Sequence, residues 1–126
     1  MPPEILVVDD EPLLLRLLEV VLPPYGLAVR TAAGGQQALD LYRRHRDSIG
    51  VVLLDLGMPG LDGPQTLARL REIDPDVRFC FMSGYAAGYS PEELRVMGAD
   101  RVIAKPFRDL GELARTLREA ATPRVG

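Results

Sequence analysis

Two apolar runs in this chain each end in acid, and this pairing limits the folds open to it more than any other feature. Ile5-Leu6-Val7-Val8 runs into Asp9-Asp10-Glu11, and Val51-Val52-Leu53-Leu54 runs into Asp55-Leu56-Gly57-Met58-Pro59-Gly60. Short apolar runs without polar alternation are the pattern of strands buried on both faces, as in a parallel sheet. Carboxylates at the points where such strands stop collect along one edge of that sheet, the edge where open α/β sheets bind ligands. Several acids gathered there repel one another unless a cation joins them or some are protonated. The pattern points to a small acidic, metal-binding site.

The rest of the chain supports such a sheet. Pro12 to Leu22 reads as a helix with proline in its first turn, stopped by Pro23-Pro24. Leu27–Thr31 is a short second strand, and Gln36 to Arg44 a helix with Ala38, Leu41 and Tyr42 on one face. After the strand Val51–Leu54 comes a loop with Gly57, Pro59, Gly60 and Gly63, then a helix from about Pro64 to Ile73. Val77–Met82 is a fourth strand. Ser90-Pro91-Glu92-Glu93 has the form of a capping box opening a short helix that ends by Gly98. Arg101–Ala104 is a fifth strand, and Asp109 to Ala121 a last helix with Leu110, Leu113 and Leu117 along its stripe. Alternating strands and helices imply a parallel sheet covered on both faces. The expected class is α/β, a flavodoxin-like (βα)5 sandwich with sheet order 2-1-3-4-5. The 126 residues suit one domain, with a core over about 4–121 and a tail over 122–126.

Composition narrows the class of function. A net charge of -3 gives no bulk attraction to nucleic acid, no segment reads as DNA-binding, and no apolar stretch reaches membrane-spanning length. The N-terminus lacks the basic region of a signal peptide. The one cysteine, Cys80, lies in an apolar run and reads as a buried thiol, which fits a reducing cytoplasm. Among 15 basic residues Lys105 is the one lysine, and it closes the fifth strand just before Pro106-Phe107. Gly34-Gly35 reads as a turn, with no phosphate-loop pattern around it, and His45 as a solvated helix end. Taken singly, Asp9 and Asp10 are equally readable as caps of the first helix.

With strands one and three as neighbours, Asp9, Asp10 and Asp55 meet at one edge, with Ser83 and Lys105 beside them. This set, with Met58-Pro59, Gly63, Met82-Ser83-Gly84 and Lys105-Pro106-Phe107 in the same order, resembles the receiver domain of bacterial response regulators over nearly the whole chain. The resemblance implies that Asp55 accepts a phosphoryl group from a phosphohistidine on a histidine kinase or histidine phosphotransfer protein. It implies Mg2+ held by Asp10, Asp55 and the Gly57 backbone carbonyl, and by Asp9 through water. It implies that Lys105 and Ser83 hold phosphoryl oxygens, and that the Lys105–Pro106 peptide is cis. The product would be a cytoplasmic phosphorylation switch, a monomer or weak phosphorylation-dependent dimer, free-standing or excised from a hybrid kinase or transcriptional regulator. Val102 departs from the family, where many members carry an aromatic three residues before the lysine; Tyr85 and Tyr89 are candidates for that part. Other classes compete. An aspartyl-phosphate phosphatase typically shows Asp-x-Asp, whereas Asp55-Leu56-Gly57 lacks the second acid. A degenerate binding module would have lost its acids or lysine. A flavin-binding relative would find its phosphate repelled by them.

Resemblance and pattern together place the donor's docking surface on the first helix. Its apolar residues sweep roughly 220° of the helical wheel, against the ~100° a core stripe needs, leaving only Arg16 and Glu19 polar. Leu15 and Leu22 on one margin and Leu13 on the other are expected to be partly exposed.

Overall fold

The computed structural model describes residues 2–84 and 88–122; Tyr85 and the tail from Pro123 on lie outside them. The elements are β1 (Glu4–Val8), α1 (Pro12–Val21), β2 (Ala28–Ala32), α2 (Gly35–His45), β3 (Ile49–Asp55), α3 (Gly63–Ile73), β4 (Phe79–Ser83), α4 (Pro91–Val96), β5 (Arg101–Ala104) and α5 (Leu110–Ala121). A 3-10 turn, Pro23–Tyr25, follows α1 and closes on Gly26 at φ 85. The five strands are parallel in the order β2-β1-β3-β4-β5, as the pattern predicts.

Side chains of a strand alternate between its faces, so each apolar run feeds two cores. Leu6, Val8, Val52, Leu54, Phe79 and Phe81 pack under α2, α3 and α4. Ile5, Val7, Val51, Leu53, Cys80 and Met82 pack under α1 and α5. Each aliphatic side chain withdrawn from water contributes about 1.5–3 kcal/mol. Every residue of the two opening runs is buried, so the strand ends sit on a stiff platform. Cys80 is buried as expected, and desolvation, with the Asp100 charge second, pushes its thiol up to about 12.

Several boundaries differ from the sequence reading. β3 begins two residues early, and its register with β1 slips between Glu4 and Ile5, leaving Gly50 as the extra residue where Ala121 presses in. β4 begins at Phe79 because the Val77 N–H turns back to the Asp74 carbonyl. The margins of α1 are also reassigned. Leu15 and Leu22 are buried, whereas Leu13 is 80 % and Val20 72 % exposed, with Leu17 between them in sequence. Leu15, Leu18 and Leu22 face the sheet and α5, and the 3-10 turn after α1 folds Leu22 inward. The outward apolar stripe is therefore Leu13, Leu17 and Val20, spaced i, i+4, i+7 on one helix face.

Candidate functional site

Four strand ends deliver the site. Asp9 follows β1, Asp55 is the last residue of β3, Ser83 the last of β4, and Lys105 follows β5. Hydrogen bonds beyond the regular pairing carry the ladder through these positions. Asp9 N–H donates to the Ala32 carbonyl at 3.1 Å, Leu56 N–H to Met82 at 3.2 Å, and Lys105 N–H to Ser83 at 2.9 Å. The candidate side chains thus project from backbone that is held in place.

The Lys105 ammonium sits between two carboxylates, 2.9 Å from Asp9 Oδ2 and 3.1 Å from Asp55 Oδ1. The other Asp9 oxygen accepts the Glu11 N–H at 2.9 Å, so fully buried Asp9 is satisfied on both sides. Asp10 stays exposed and caps nothing on α1, whose N-cap is Glu11 without a side-chain bond. Asp9, Asp10 and Asp55 each present an oxygen within 4.8 Å of the others. Asp10 and Asp55 line a cleft of about 690 Å³ whose rim carries Gly57 and Gly84, and buried Asp9 lies behind it. A methyl group on either glycine would meet nothing within 4 Å, so access to Asp55 is clear. Among the described residues the Ser83 hydroxyl bonds the Gly84 carbonyl, a long contact of 3.3 Å. The Lys105–Pro106 peptide is cis.

The charges are out of balance. Burial lifts the Asp55 carboxyl above the usual carboxylate range, and the Asp9 charge adds to this; Lys105 opposes both. Burial pulls the Lys105 ammonium down, but its bonds to Asp9 and Asp55 outweigh that and leave it above the ordinary lysine value. One ammonium thus faces three acids. A cluster of hard oxygen donors short of positive charge fits a divalent ion such as Mg2+, which prefers carboxylates and retained waters.

Two features of the site escape sequence reasoning. The resting partner of Lys105 is Asp9 as much as Asp55. The cleft also has an apolar wall, Leu14, Leu17, Phe107 and Leu110, assembled from α1, the loop after β5 and the start of α5. The spacing of Phe107 and Leu110 is the one signal for it. Gly63 matters for a different reason. A Cβ there would lie 2.7 Å from the Asp55 carbonyl oxygen and 3.1 Å from Leu56 Cα, both backbone atoms that cannot step aside. Gly63→Ala is expected to cost about 2 kcal/mol and to displace Asp55. Urea melts would read the first effect and Mg2+ titration the second. Parent-like values in both would show that the α3 start is not packed on Asp55.

The parallel five-stranded sheet thus carries three acids, a hydroxyl and a lysine at its carboxyl edge. The chain belongs to the response regulator receiver domain family, whose model matches residues 5–118. It is similar to sporulation initiation phosphotransferase F of Bacillus subtilis, with 37% identity over 110 residues covering 87% of this chain and 86% of that protein. Among solved structures it is similar to a response regulator receiver domain protein from Clostridium thermocellum, with TM-score 0.86, 27% identity and 94% of each chain covered. It is also similar to a chain in the CheX–CheY–BeF3–Mg2+ complex from Borrelia burgdorferi, with TM-score 0.84, 28% identity and coverage of 98% and 92%. Other relatives are longer. The chain spans 12% of a sensor kinase from Brucella abortus and 44% of mycobacterial transcriptional regulators. Among the described residues no helix is long and apolar enough to cross a membrane.

Proposed function

We propose that this receiver domain is a phosphorylation switch of a two-component phosphorelay, with Asp55 as phosphoacceptor. The observation that carries this reading is the Lys105 ammonium held between Asp9 and Asp55 in a cleft that also presents Asp10. An Asp55 carboxylate oxygen attacks the phosphorus of a phosphohistidine on a kinase or phosphotransfer protein. The P–N bond breaks and the imidazole leaves with its electron pair. Charge in this transfer spreads over three phosphoryl oxygens, so the protein's part is positioning and charge neutralisation. Lys105 takes one oxygen and the Ser83 hydroxyl another. Asp9, Asp10, Asp55 and the Gly57 carbonyl would hold the Mg2+, with Asp9 acting through water, and the bound ion would supply the remaining positive charge. The unit doing this spans about residues 4–121 and works in the cytoplasm, as a regulatory phosphoacceptor rather than a turnover enzyme. Gly57 stands where an aspartyl-phosphate phosphatase needs its second acid.

Incubation with acetyl phosphate and Mg2+ is expected to add one hydroxylamine-labile phosphoryl group, seen by intact mass, on the peptide containing Asp55. EDTA should prevent it. A label on any other residue would overturn the assignment.

The phosphodonor is proposed to dock on the outward stripe of α1, which runs from Leu13 and Val20 through Leu17 to the apolar wall of the cleft. A helix carrying the phosphohistidine, laid on this stripe, would bury it while reaching Asp55. Leu13→Asp with Val20→Asp should slow transfer from a cognate kinase at least about tenfold, since burying a charge in such a contact costs over a kilocalorie. Acetyl phosphate labelling should be unchanged. Equal loss of both would rule out a docking role.

A further inference from the structure

Helix α3 grips the short helix α4 at both ends. At the front, the Tyr89 hydroxyl donates to Asp62 Oδ2 at 3.3 Å. At the back, the Arg71 guanidinium donates to the Met97 carbonyl and lies over the Phe79 ring, 5.2 Å from its centroid. Between these ties, Leu94 is the buried residue of α4. A helix with one core anchor relies on such ties for its position.

The front tie leads back to the site. Asp62 is the N-cap of α3, and its Oδ1 accepts the Gln65 N–H at 2.9 Å. Tyr89 immediately precedes Ser90, the N-cap of α4, which closes its own capping box with Glu93. Two capping boxes are therefore one hydrogen bond apart. The next residue, Gly63 at the start of α3, donates its N–H to the Leu56 carbonyl at 3.2 Å and leaves no room for a Cβ beside the Asp55 carbonyl. Contacts thus run unbroken from Asp55 through Gly63, Asp62 and Tyr89 to the start of α4. On the other side of α4, Val102 of β5 has no polar atom with which to make a comparable tie, and it is 37% exposed.

We infer that the Tyr89–Asp62 hydrogen bond is the latch that holds α4 in its resting position, and that a phosphoryl group on Asp55 releases it. The inference rests on the reading of Asp55 as phosphoacceptor. A phosphoryl group brings nearly two negative charges and three acceptor oxygens to the end of β3. The Ser83 hydroxyl, whose contact to the Gly84 carbonyl is long, turns toward it, and the α3 start packed on Asp55 shifts with the phosphorylated residue. A single half-exposed hydrogen bond of 3.3 Å adds little net stability and does not survive a displacement of a fraction of an ångström. Asp62 Oδ2 then passes to water, while Oδ1 continues to cap α3. Helix α4 keeps Leu94 and the Arg71 cap but loses its front tie, and becomes available to an output partner.

The test is amide hydrogen exchange of residues 90–98 in the full chain, with and without beryllofluoride and Mg2+, for the parent, Tyr89→Phe and Val102→Ala. Tyr89→Phe removes one hydroxyl and keeps the ring in the α2–α3–α4 core. Without beryllofluoride its α4 amides are expected to exchange roughly threefold to tenfold faster than the parent's, matching the beryllofluoride-bound parent. Val102→Ala should keep the parent's resting protection and its response. A Tyr89→Phe protein with parent-like resting protection and response would overturn the latch. Fluorine NMR separates the two levels of the argument. A bound-fluoride signal that Asp55→Asn lacks upholds the acceptor even where the latch fails, whereas no bound fluoride in the parent removes both.

Discussion

Asp55→Asn is expected to reduce phosphoryl capture to background, at least about a thousandfold below the parent, and at the same time to raise the melting temperature at neutral pH. The first effect is the loss of the nucleophile: an amide oxygen cannot form the acyl phosphate. The second follows from the electrostatics of the cleft. Burial and the neighbouring Asp9 charge hold the Asp55 carboxyl above its ordinary value. A carboxyl whose folded pKa exceeds its unfolded value favours the fold below the unfolded value, about 3.9. That contribution is lost as pH rises through the folded value. At pH 7 the parent carries the cost of an ionised Asp55, and the asparagine variant does not. The gap in melting temperature should therefore be widest near neutrality without metal and close below about pH 4. Saturating Mg2+ should narrow it from the other side, because the parent keeps the full carboxylate set and gains more from binding. A variant melting below the parent at pH 7 would mean that the Lys105–Asp55 contact outweighs the repulsion, and the charge deficit argued for the cleft would be wrong.

The sheet was readable because its signals are local. Each strand is a short apolar run, each run stops at a chemically distinct residue, and proline, glycine or a capping box marks most helix limits. The candidate residues at those ends are readable for the same reason: Asp9, Asp10, Asp55, Ser83 and Lys105 each stand at or just past the end of a strand. What could not be read depends on packing between distant segments. Almost every position of α1 is apolar, so periodicity does not say which face turns inward. The sheet, α5 and the turn at Pro23–Tyr25 decide it, burying Leu15 and Leu22 and leaving Leu13 and Val20 outside. The slip puts Gly50 where a Cβ would meet Ala121, which is distant in sequence. The bond between Tyr89 and Asp62 joins two loops whose proximity exists only after α3 and α4 have packed. Tyr89 was visible as an aromatic near the site, but its partner was not.

Lys105 joins a structural contact to its proposed part in phosphoryl transfer, and Lys105→Met should expose both. Methionine keeps the length and apolar stem while removing the charge. Asp9 is fully buried, and its Oδ2 is held by the Lys105 ammonium at 2.9 Å. Removing one partner of a buried pair leaves the other charge uncompensated, so a loss of about 3 kcal/mol is expected in EDTA. The pH range of this contribution follows from the direction of the Lys105 shift. Its bonds to Asp9 and Asp55 raise it above the ordinary lysine value despite burial. The stabilisation is then complete below the unfolded-chain value, about 10.4, and is lost only as pH rises through the folded one. Urea melts should show a constant gap between parent and variant from pH 6 to about pH 9. Added Mg2+ should shrink that gap, since a second positive charge reaches the same carboxylates. It should not restore acetyl phosphate labelling, which is expected to fall about a hundredfold to a thousandfold, the usual effect of removing one donor to a developing oxyanion. Lys105→Arg should recover more of the stability than of the rate, because the guanidinium keeps the charge but presents a broad fork where a compact ammonium fits between two carboxylates. A Lys105→Met protein as stable as the parent in EDTA would mean that Asp9 is satisfied by the Glu11 N–H alone, and Lys105 would then be held in the cleft for phosphoryl chemistry only.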